Sequence, residues 1–329
     1  MRKTALVTGA SSFTGGYLCR ALKERGYTIK ALVRKNSNRE LLEKLDVKLI
    51  EADLSEPNSI RGKIRGVDIV FHLASLYRQQ RITKNMFTMV NVESTHALLE
   101  DSITGDAKRF VHCSTVGVQG IITNPPVKED APYNPGTPYQ ESRVKAEKLV
   151  LSYFQKGKIE SVVVRPVCVY GPGSKRFLEL FQDIYKRNFR MIGKGNNLCH
   201  LTYVEDLVAG IILAGESPAA PGQIYTLAGS EYLPLRELVK IVAELFNKPV
   251  PKIRIPLWTV HIAAFFSDLF SRSPQIEPTL SRKLLNFFTR EKAFDISKAR
   301  KELNYNPTTS LREGLTRTAI WYKENGWLK

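Results

Sequence analysis

Cysteine is scarce in this 329-residue chain, and its four copies, Cys19, Cys113, Cys168 and Cys199, stand far apart with no C-x-x-C pair. That spacing excludes a zinc ribbon and a dithiol redox motif, and leaves reduced, partly buried thiols as the expectation, with no metal site. Long apolar runs are missing as well. The most apolar late stretch, Ile255 to Phe270, is broken by Pro256, His261 and Asp268, and it falls short of the about 20 residues that span a bilayer. There is no internal repeat, no low-complexity linker and no nucleic-acid module. Acidic residues are in deficit, 32 Asp+Glu against 49 Lys+Arg, for a formal charge of +17. Because the cations are spread along the chain, the excess points to small anionic ligands and not to nucleic acid. No leader segment is visible either: a strand-like run at 4–8 follows the first methionine almost directly, so a cytoplasmic location is expected.

What is present is alternation. Short β-branched runs at 4–8, 28–33, 47–51, 68–73, 109–114 and 161–165 are mostly separated by segments of helical length. Apolar strands alternating with helices imply right-handed crossovers and a parallel sheet covered on both faces, so the fold class is α/β, doubly wound. After Pro166 the pattern turns helical, at about 174–188, 204–215, 234–247, 256–271 and 310–325, with an isolated strand at 223–227. Two lobes are therefore expected, 1–166 with later returns near 195–230, and a smaller, mostly helical lobe at 167–329. The last helix opens with Ser310-Leu-Arg-Glu313, the spacing of a reciprocal capping box.

The first strand runs into Gly9-Ala-Ser11-Ser12-Phe13-Thr14-Gly15-Gly16, ahead of a helix read at 17–25. A tight turn of small residues there lets backbone amides and a helix N-terminus face a pyrophosphate, which makes a dinucleotide site. The second strand ends in Arg34-Lys35, where an NAD-binding protein usually places an acid for the ribose 2′-hydroxyl. Two cations suit a 2′-phosphate, so NADP(H) is expected in preference to NAD(H).

The pattern T-G-x-x-G-x-x-G resembles the signature of the extended short-chain dehydrogenase/reductases, with Ser12 in place of the second glycine. A left-handed backbone at Ser12 would strain a serine, yet cofactor binding is expected to survive. The resemblance implies a Rossmann fold and extends to Asp53-Leu54 beside the adenine, and to Leu73-Ala74-Ser75 along the cofactor. It also covers Asn91, Pro166 and Val169, the last two in the R-P-x-x-x-Y-G-P-G loop that closes over the nicotinamide. It implies a catalytic set as well, Thr115 at the end of the fifth strand with Tyr139 and Arg143. Tyr139 and Arg143 are four residues apart, hence on one helix face. In that chemistry Thr115 holds the substrate oxygen while Tyr139 exchanges its proton and a hydride passes to or from the nicotinamide. A phenol has a reference pKa of about 10, so a fixed cation is needed near it. The family has lysine where this chain has Arg143, which keeps the charge with a different shape. Lys145 lies about 240° round the helix from Tyr139 and cannot replace it.

Within the family, sugar-nucleotide epimerases and dehydratases commonly place an asparagine at the position of Cys168 and an arginine near Cys199, and dehydratases follow the threonine with two acids. Here Val116 and Gly117 follow Thr115. The remaining likeness is to the branch of 3β-hydroxysteroid dehydrogenases and dihydroflavonol reductases. It implies an oxidoreductase interconverting a secondary alcohol and a ketone on a lipophilic, steroid- or flavonoid-like small molecule. An epimerase with tightly held NAD(P), or a catalytically weak NADP(H)-binding protein suggested by Arg143, are the alternatives. The apolar segment 256–272, with Phe265, Phe266 and Phe270 beside Arg272, Arg282 and Lys283, is read as a pocket wall, a peripheral membrane contact or plain core. By resemblance a homodimer is expected, paired through helices at about 85–104 and 138–156.

Overall fold

The computed structural model describes residues 2–77, 83–251, 253–259 and 288–329. Its centre is a parallel sheet of β1 (Thr4–Thr8), β2 (Thr28–Val33), β3 (Lys48–Glu51), β4 (Ile69–His72), β5 (Arg109–Cys113), β6 (Glu160–Pro166) and a seventh strand, Ile224–Leu227. Across the sheet the order is β3, β2, β1, β4, β5, β6 and then Ile224–Leu227, with every neighbour parallel. The strand order reverses between β1 and β4, and the crevice outside the carboxyl ends of those strands is where such sheets bind ligands.

The strands read as continuous apolar runs because both faces are buried. Leu6, Val70, Phe110 and Val163 point to one face, where they pack with Leu98, Leu99, Val150 and Tyr153. These come from helices α4 (Ser94–Thr104) and α5 (Pro138–Gln155). Their neighbours Ala5, Val7, Phe71, Val111, Val162 and Val164 point to the other face. There they meet α1 (Phe13–Glu24), α7 (Val204–Glu216) and α9 (Ser297–Leu303). A separate core joins α6 (Leu178–Tyr185), α8 (Leu235–Leu245) and α10 (Leu311–Glu324). Two short helices, α2 (Glu40–Lys44) and α3 (Lys84–Thr88), complete the set used below.

Several local features differ from the sequence expectation, each for a physical reason. Helix α1 starts at Phe13 and not Tyr17, because Ser12 caps it. The helix expected at 85–104 is interrupted by a π-turn, Met89–Glu93, between α3 and α4. Helix α6 begins at Leu178, four residues late, since the Ser174 carbonyl is held by the Tyr322 hydroxyl and Ser174 Oγ turns back to Arg176 N. At Ser310 only half of the capping box forms: Ser310 Oγ accepts from Glu313 N at 3.3 Å, while Glu313 turns to Arg317. The four cysteines are free thiols, and burial pushes Cys19 and Cys199 up to about 12. No described helix is long and apolar enough to cross a membrane. Most of the segment 256–272, with Phe265, Phe266, Phe270 and Arg272, lies outside the described residues, as do Arg282 and Lys283.

Candidate active site

The turn after β1 admits glycine at two places for steric reasons. Gly9 has φ +70°, and a Cβ there would stand 2.9 Å from the Ala74 amide nitrogen; one on Gly15 would stand 2.1 Å from the Gly9 carbonyl oxygen. Ser12 has φ −80° and ψ 168°, and its Oγ accepts from Gly15 N at 3.2 Å. The backbone there is therefore extended and not left-handed, and the residue serves as an N-cap, a role that favours serine. Ser11 and Ser12 are exposed, while Phe13 and Thr14 are half-buried at the first turn of α1. The turn is thus packed closely against the segment after β4, with Ser11 and Ser12 exposed at the N-terminus of α1.

Beyond β2, Arg34 and Lys35 are exposed. Sequence reasoning missed Arg39, whose Nη2 donates to the carbonyls of Arg34 (3.3 Å) and Lys35 (3.0 Å) and to Glu51 (3.1 Å). It fixes the loop and neutralises the acid at the end of β3. Asp53 is partly buried, its carboxylate held by Ser55 N and Oγ, both at 2.8 Å, and Leu54 is buried behind it.

At the end of β4 a buried chain of polar groups sets the backbone. Thr95 Oγ1 donates to the Asn91 carbonyl at 2.8 Å, so its contact with His72 Nε2 at 3.0 Å requires the proton on that nitrogen. His72 Nδ1 then accepts from Thr8 Oγ1 at 2.8 Å, and Thr8 Oγ1 in turn accepts from Ala74 N at 3.1 Å. A second imidazole proton has no acceptor in this arrangement; burial, with the Arg143 charge, lowers the His72 pKa to about 3. Leu73 N bonds the Thr8 carbonyl at 3.3 Å, which holds 73–75 against the glycine turn.

The π-turn has a purpose visible in its central residue. Asn91 is fully buried; its Oδ1 accepts from Leu76 N at 2.7 Å, and its Nδ2 donates to the Leu76 carbonyl (3.2 Å) and to Ser142 Oγ (2.9 Å). Ser142 Oγ donates to the Tyr139 carbonyl at 2.7 Å. One side chain thus ties the segment after β4 to the first turn of α5, a use typical of π-bulges.

Thr115 follows β5, while Tyr139 and Arg143 stand on α5, where Arg143 reaches the end of β5 through the Cys113 carbonyl. Thr115 Oγ1 accepts from Gly117 N at 3.1 Å, which leaves its own proton to give to an incoming oxygen. Tyr139 is half-buried, with Tyr77 edge-on at 4.8 Å between centroids and Phe87 at 6.0 Å. Burial raises its pKa above the ordinary value for a phenol, against the opposing pull of Arg143 and a hydrogen bond from Ser75. Arg143 is buried; Nη2 donates to the Cys113 carbonyl, while Nε and Nη1 have no partner among the described residues. Ser114 Oγ, next in sequence to Cys113, is also buried without a partner among the described residues. Unpaired buried donors are costly, so a group with acceptor oxygens fits this position. Lys145 is exposed, away from the site. Pro166 and Val169 border the β6 end, joined by Cys168 at φ +28°.

Helix α5 is seated by a buried ion pair. Arg165 on β6 reaches Glu147 through Nε (3.1 Å) and Nη2 (2.8 Å), with side chains 1% and 0% exposed. The Tyr133 hydroxyl adds a bond to Glu147 at 3.0 Å, and Arg165 Nη1 donates to the Glu129 carbonyl at 2.9 Å.

Comparison with known proteins gives a consistent result. Residues 5–228 match the model of the NAD dependent epimerase/dehydratase family. A 3-beta-hydroxysteroid dehydrogenase of Mycolicibacterium neoaurum is 27% identical, the match covering 97% of this chain and 91% of that protein. A UDP-glucose 4-epimerase of Vibrio cholerae is 26% identical, over 97% and 95% of the two chains. Among solved structures, gox2253 superposes with TM-score 0.84 at 27% identity, each chain covered completely.

Proposed function

The chain belongs to the NAD dependent epimerase/dehydratase family and is an NAD(P)-dependent enzyme of the extended short-chain dehydrogenase/reductase type; from that premise we propose that it is an NADP(H)-dependent oxidoreductase interconverting a ketone and a secondary alcohol on a lipophilic molecule. The observation that carries this reading is the pair formed by Tyr139, its phenol pushed up by burial, and Arg143, with two buried donors unspent.

The residues divide the work. Gly9, Ser11, Ser12, Phe13, Thr14 and Gly15 would hold the pyrophosphate, and the exposed Arg34 and Lys35 the 2′-phosphate. Asp53 and Leu54 would flank the adenine, while Leu73, Ala74, Ser75, Pro166 and Val169 would line the nicotinamide end. Arg143 Nε and Nη1 would bond the ribose hydroxyls there. Thr115 donates its free proton to the substrate oxygen. Tyr139 gives its phenol proton to the oxygen of a carbonyl as that carbon is reduced and is reprotonated from solvent, and in the reverse direction it takes the proton of the alcohol. The bound nicotinamide supplies or accepts the hydride.

Specificity for a lipophilic substrate is supported by Tyr77 and Phe87 around the phenol. The buried Cys199, a neutral thiol, is no ligand for a nucleotide diphosphate. Two measurements test the proposal. NADPH at 100 times its Kd should stabilise the protein by about 2.7 kcal/mol, more than equal NADH, and UDP added to NADPH-saturated protein should add nothing. Tyr139→Phe should keep that stabilisation and lose hydride transfer from 4-deuterated NADPH to steroid and flavanone ketones. Retained transfer, or a further shift with UDP, refutes it.

A further inference from the structure

Beyond giving the site an apolar surface, Tyr77 stands in a fixed relation to the reacting phenol. Its side chain is 44% exposed, and its ring meets that of Tyr139 edge-on, 4.8 Å between centroids at 60°. Phe87 on α3 meets Tyr139 from a second direction, at 6.0 Å and 59°. The phenol needs such support. Tyr139 is the second residue of α5, after Pro138, and helical side chains lean back over the preceding turn; at this end of the helix that turn is missing. Both rings are delivered by contacts to the first turn of α5 itself. Asn91 Oδ1 accepts from the Leu76 amide at 2.7 Å and its Nδ2 donates to the Leu76 carbonyl at 3.2 Å, so the residue before Tyr77 is held at both backbone polar groups. The same Nδ2 donates to Ser142 Oγ at 2.9 Å, and Ser142 Oγ to the Tyr139 carbonyl at 2.7 Å. One buried amide thus sets the spacing between the chain carrying Tyr77 and the chain carrying Tyr139. Phe87 is brought up by Lys84, also on α3, whose Nζ lies 2.9 Å from a Glu141 carboxylate oxygen on α5. Both ends of that pair are largely exposed, so it orients more than it stabilises.

We propose that Tyr77 is a positioning residue for the reaction: its ring edge, with Phe87 as the second wall, holds the Tyr139 phenol in the orientation from which it delivers its proton. An edge-on aromatic pair has a preferred geometry that an aliphatic side chain does not impose. Rate depends steeply on such placement, since moving a reacting group by about 1 Å can cost about a hundredfold. The inference rests on the oxidoreductase reading, and its experiment separates the two. Wild type, Tyr77→Phe, Tyr77→Leu and Tyr77→Ala are compared in NADPH affinity, in hydride transfer to the steroid and flavanone ketones, and in the carbon NMR signals of ring-labelled tyrosine. The Tyr139 signal is identified by its loss in Tyr139→Phe. NADPH affinity should agree within about threefold in all four proteins. The turnover rate should fall at least about tenfold in Tyr77→Leu and Tyr77→Ala and stay within about threefold of wild type in Tyr77→Phe. The Tyr139 signal, displaced by the field of the neighbouring ring, should keep its place in Tyr77→Phe and move in the other two. Its titration midpoint should fall in Tyr77→Ala, where part of the covering that raises it is gone; Arg143, Cys113 and Ser75, which also act on that phenol, are the same in every variant. Hydride transfer absent from wild type would sink the oxidoreductase reading alone, and the displaced signal then decides the positioning. A Tyr139 signal unmoved in Tyr77→Ala, full turnover in that variant, or Tyr77→Leu as active as Tyr77→Phe overturns the proposal.

Discussion

Removing Glu147 should cost more than any surface substitution in the molecule. Its carboxylate receives Arg165 Nε and Nη2 and the Tyr133 hydroxyl, and neither ionic side chain meets water. In Glu147→Leu the guanidinium stays buried with the Glu129 carbonyl and the Tyr133 ring beside it, and no carboxylate. Breaking a buried pair from one side costs about 3–5 kcal/mol, because the surviving charge is left uncompensated. With an unfolding entropy of about 2.1 cal/mol/K per residue over 329 residues, the melting temperature should fall by about 4–7 °C. Calorimetry on the purified variant measures this. The double variant Glu147→Leu with Arg165→Met should recover part of the loss, although the Tyr133 hydroxyl and the Glu129 carbonyl then need new partners. A single-variant loss below about 1 °C, or a double variant less stable than the single, would refute the assignment of the energy to an uncompensated charge.

Gly9→Ala places a Cβ 2.9 Å from Ala74 N at a φ of +70°, and should abolish stabilisation by NADPH in a thermal-shift assay. Replacing Arg34 and Lys35 together by alanine should lower NADPH affinity at least about tenfold while leaving NADH affinity within about threefold, as titration would show. His72 supplies a pH signature: its pKa is about 3 when folded against the ordinary 6.5. Between those values only the unfolded chain takes up the proton, so this contribution is complete above about pH 6.5 and is lost as the pH falls towards about 3. Melting temperature should drop across that window, less steeply in His72→Gln. Ketone reduction should stay level through neutrality and fall at a pH above about 10, where the raised Tyr139 phenol loses its proton; a fall centred near neutrality would exclude Tyr139 as the donor.

Much of the fold was legible because its signals are local. Buried parallel strands must be apolar on both faces, so runs such as Ala5-Leu-Val7 announce themselves, and the glycine turn follows from contacts between near neighbours. The residues whose meaning depends on distant partners were harder. Asn91 acts through the π-turn Met89–Glu93, which lies inside the stretch 85–104 that the sequence suggested as one continuous helix. Arg39 carries no motif that would single it out in the sequence; only the folded chain brings it to Glu51. The start of the first helix was placed at Tyr17 and lies at Phe13, because the helix begins earlier than its apolar pattern does and Ser12 caps it.

The pinning of the Pro172–Ser174 loop has a consequence for the order in which the protein is made. Tyr17 and Tyr322, whose hydroxyls hold its Pro172 and Ser174 carbonyls, stand at opposite ends of the chain, and the outer strand Ile224–Leu227 joins β6 only after some sixty intervening residues. Chains are synthesised from the N-terminus and long-range pairings close late. The first six strands can therefore assemble on the ribosome with the loop held only by Tyr17 at Pro172, while its Ser174 anchor still waits for α10. A nascent chain lacking α10 would gain the glycine turn before that loop is fully fixed, and the cofactor itself, by binding early, would then act as a template on which the second lobe closes.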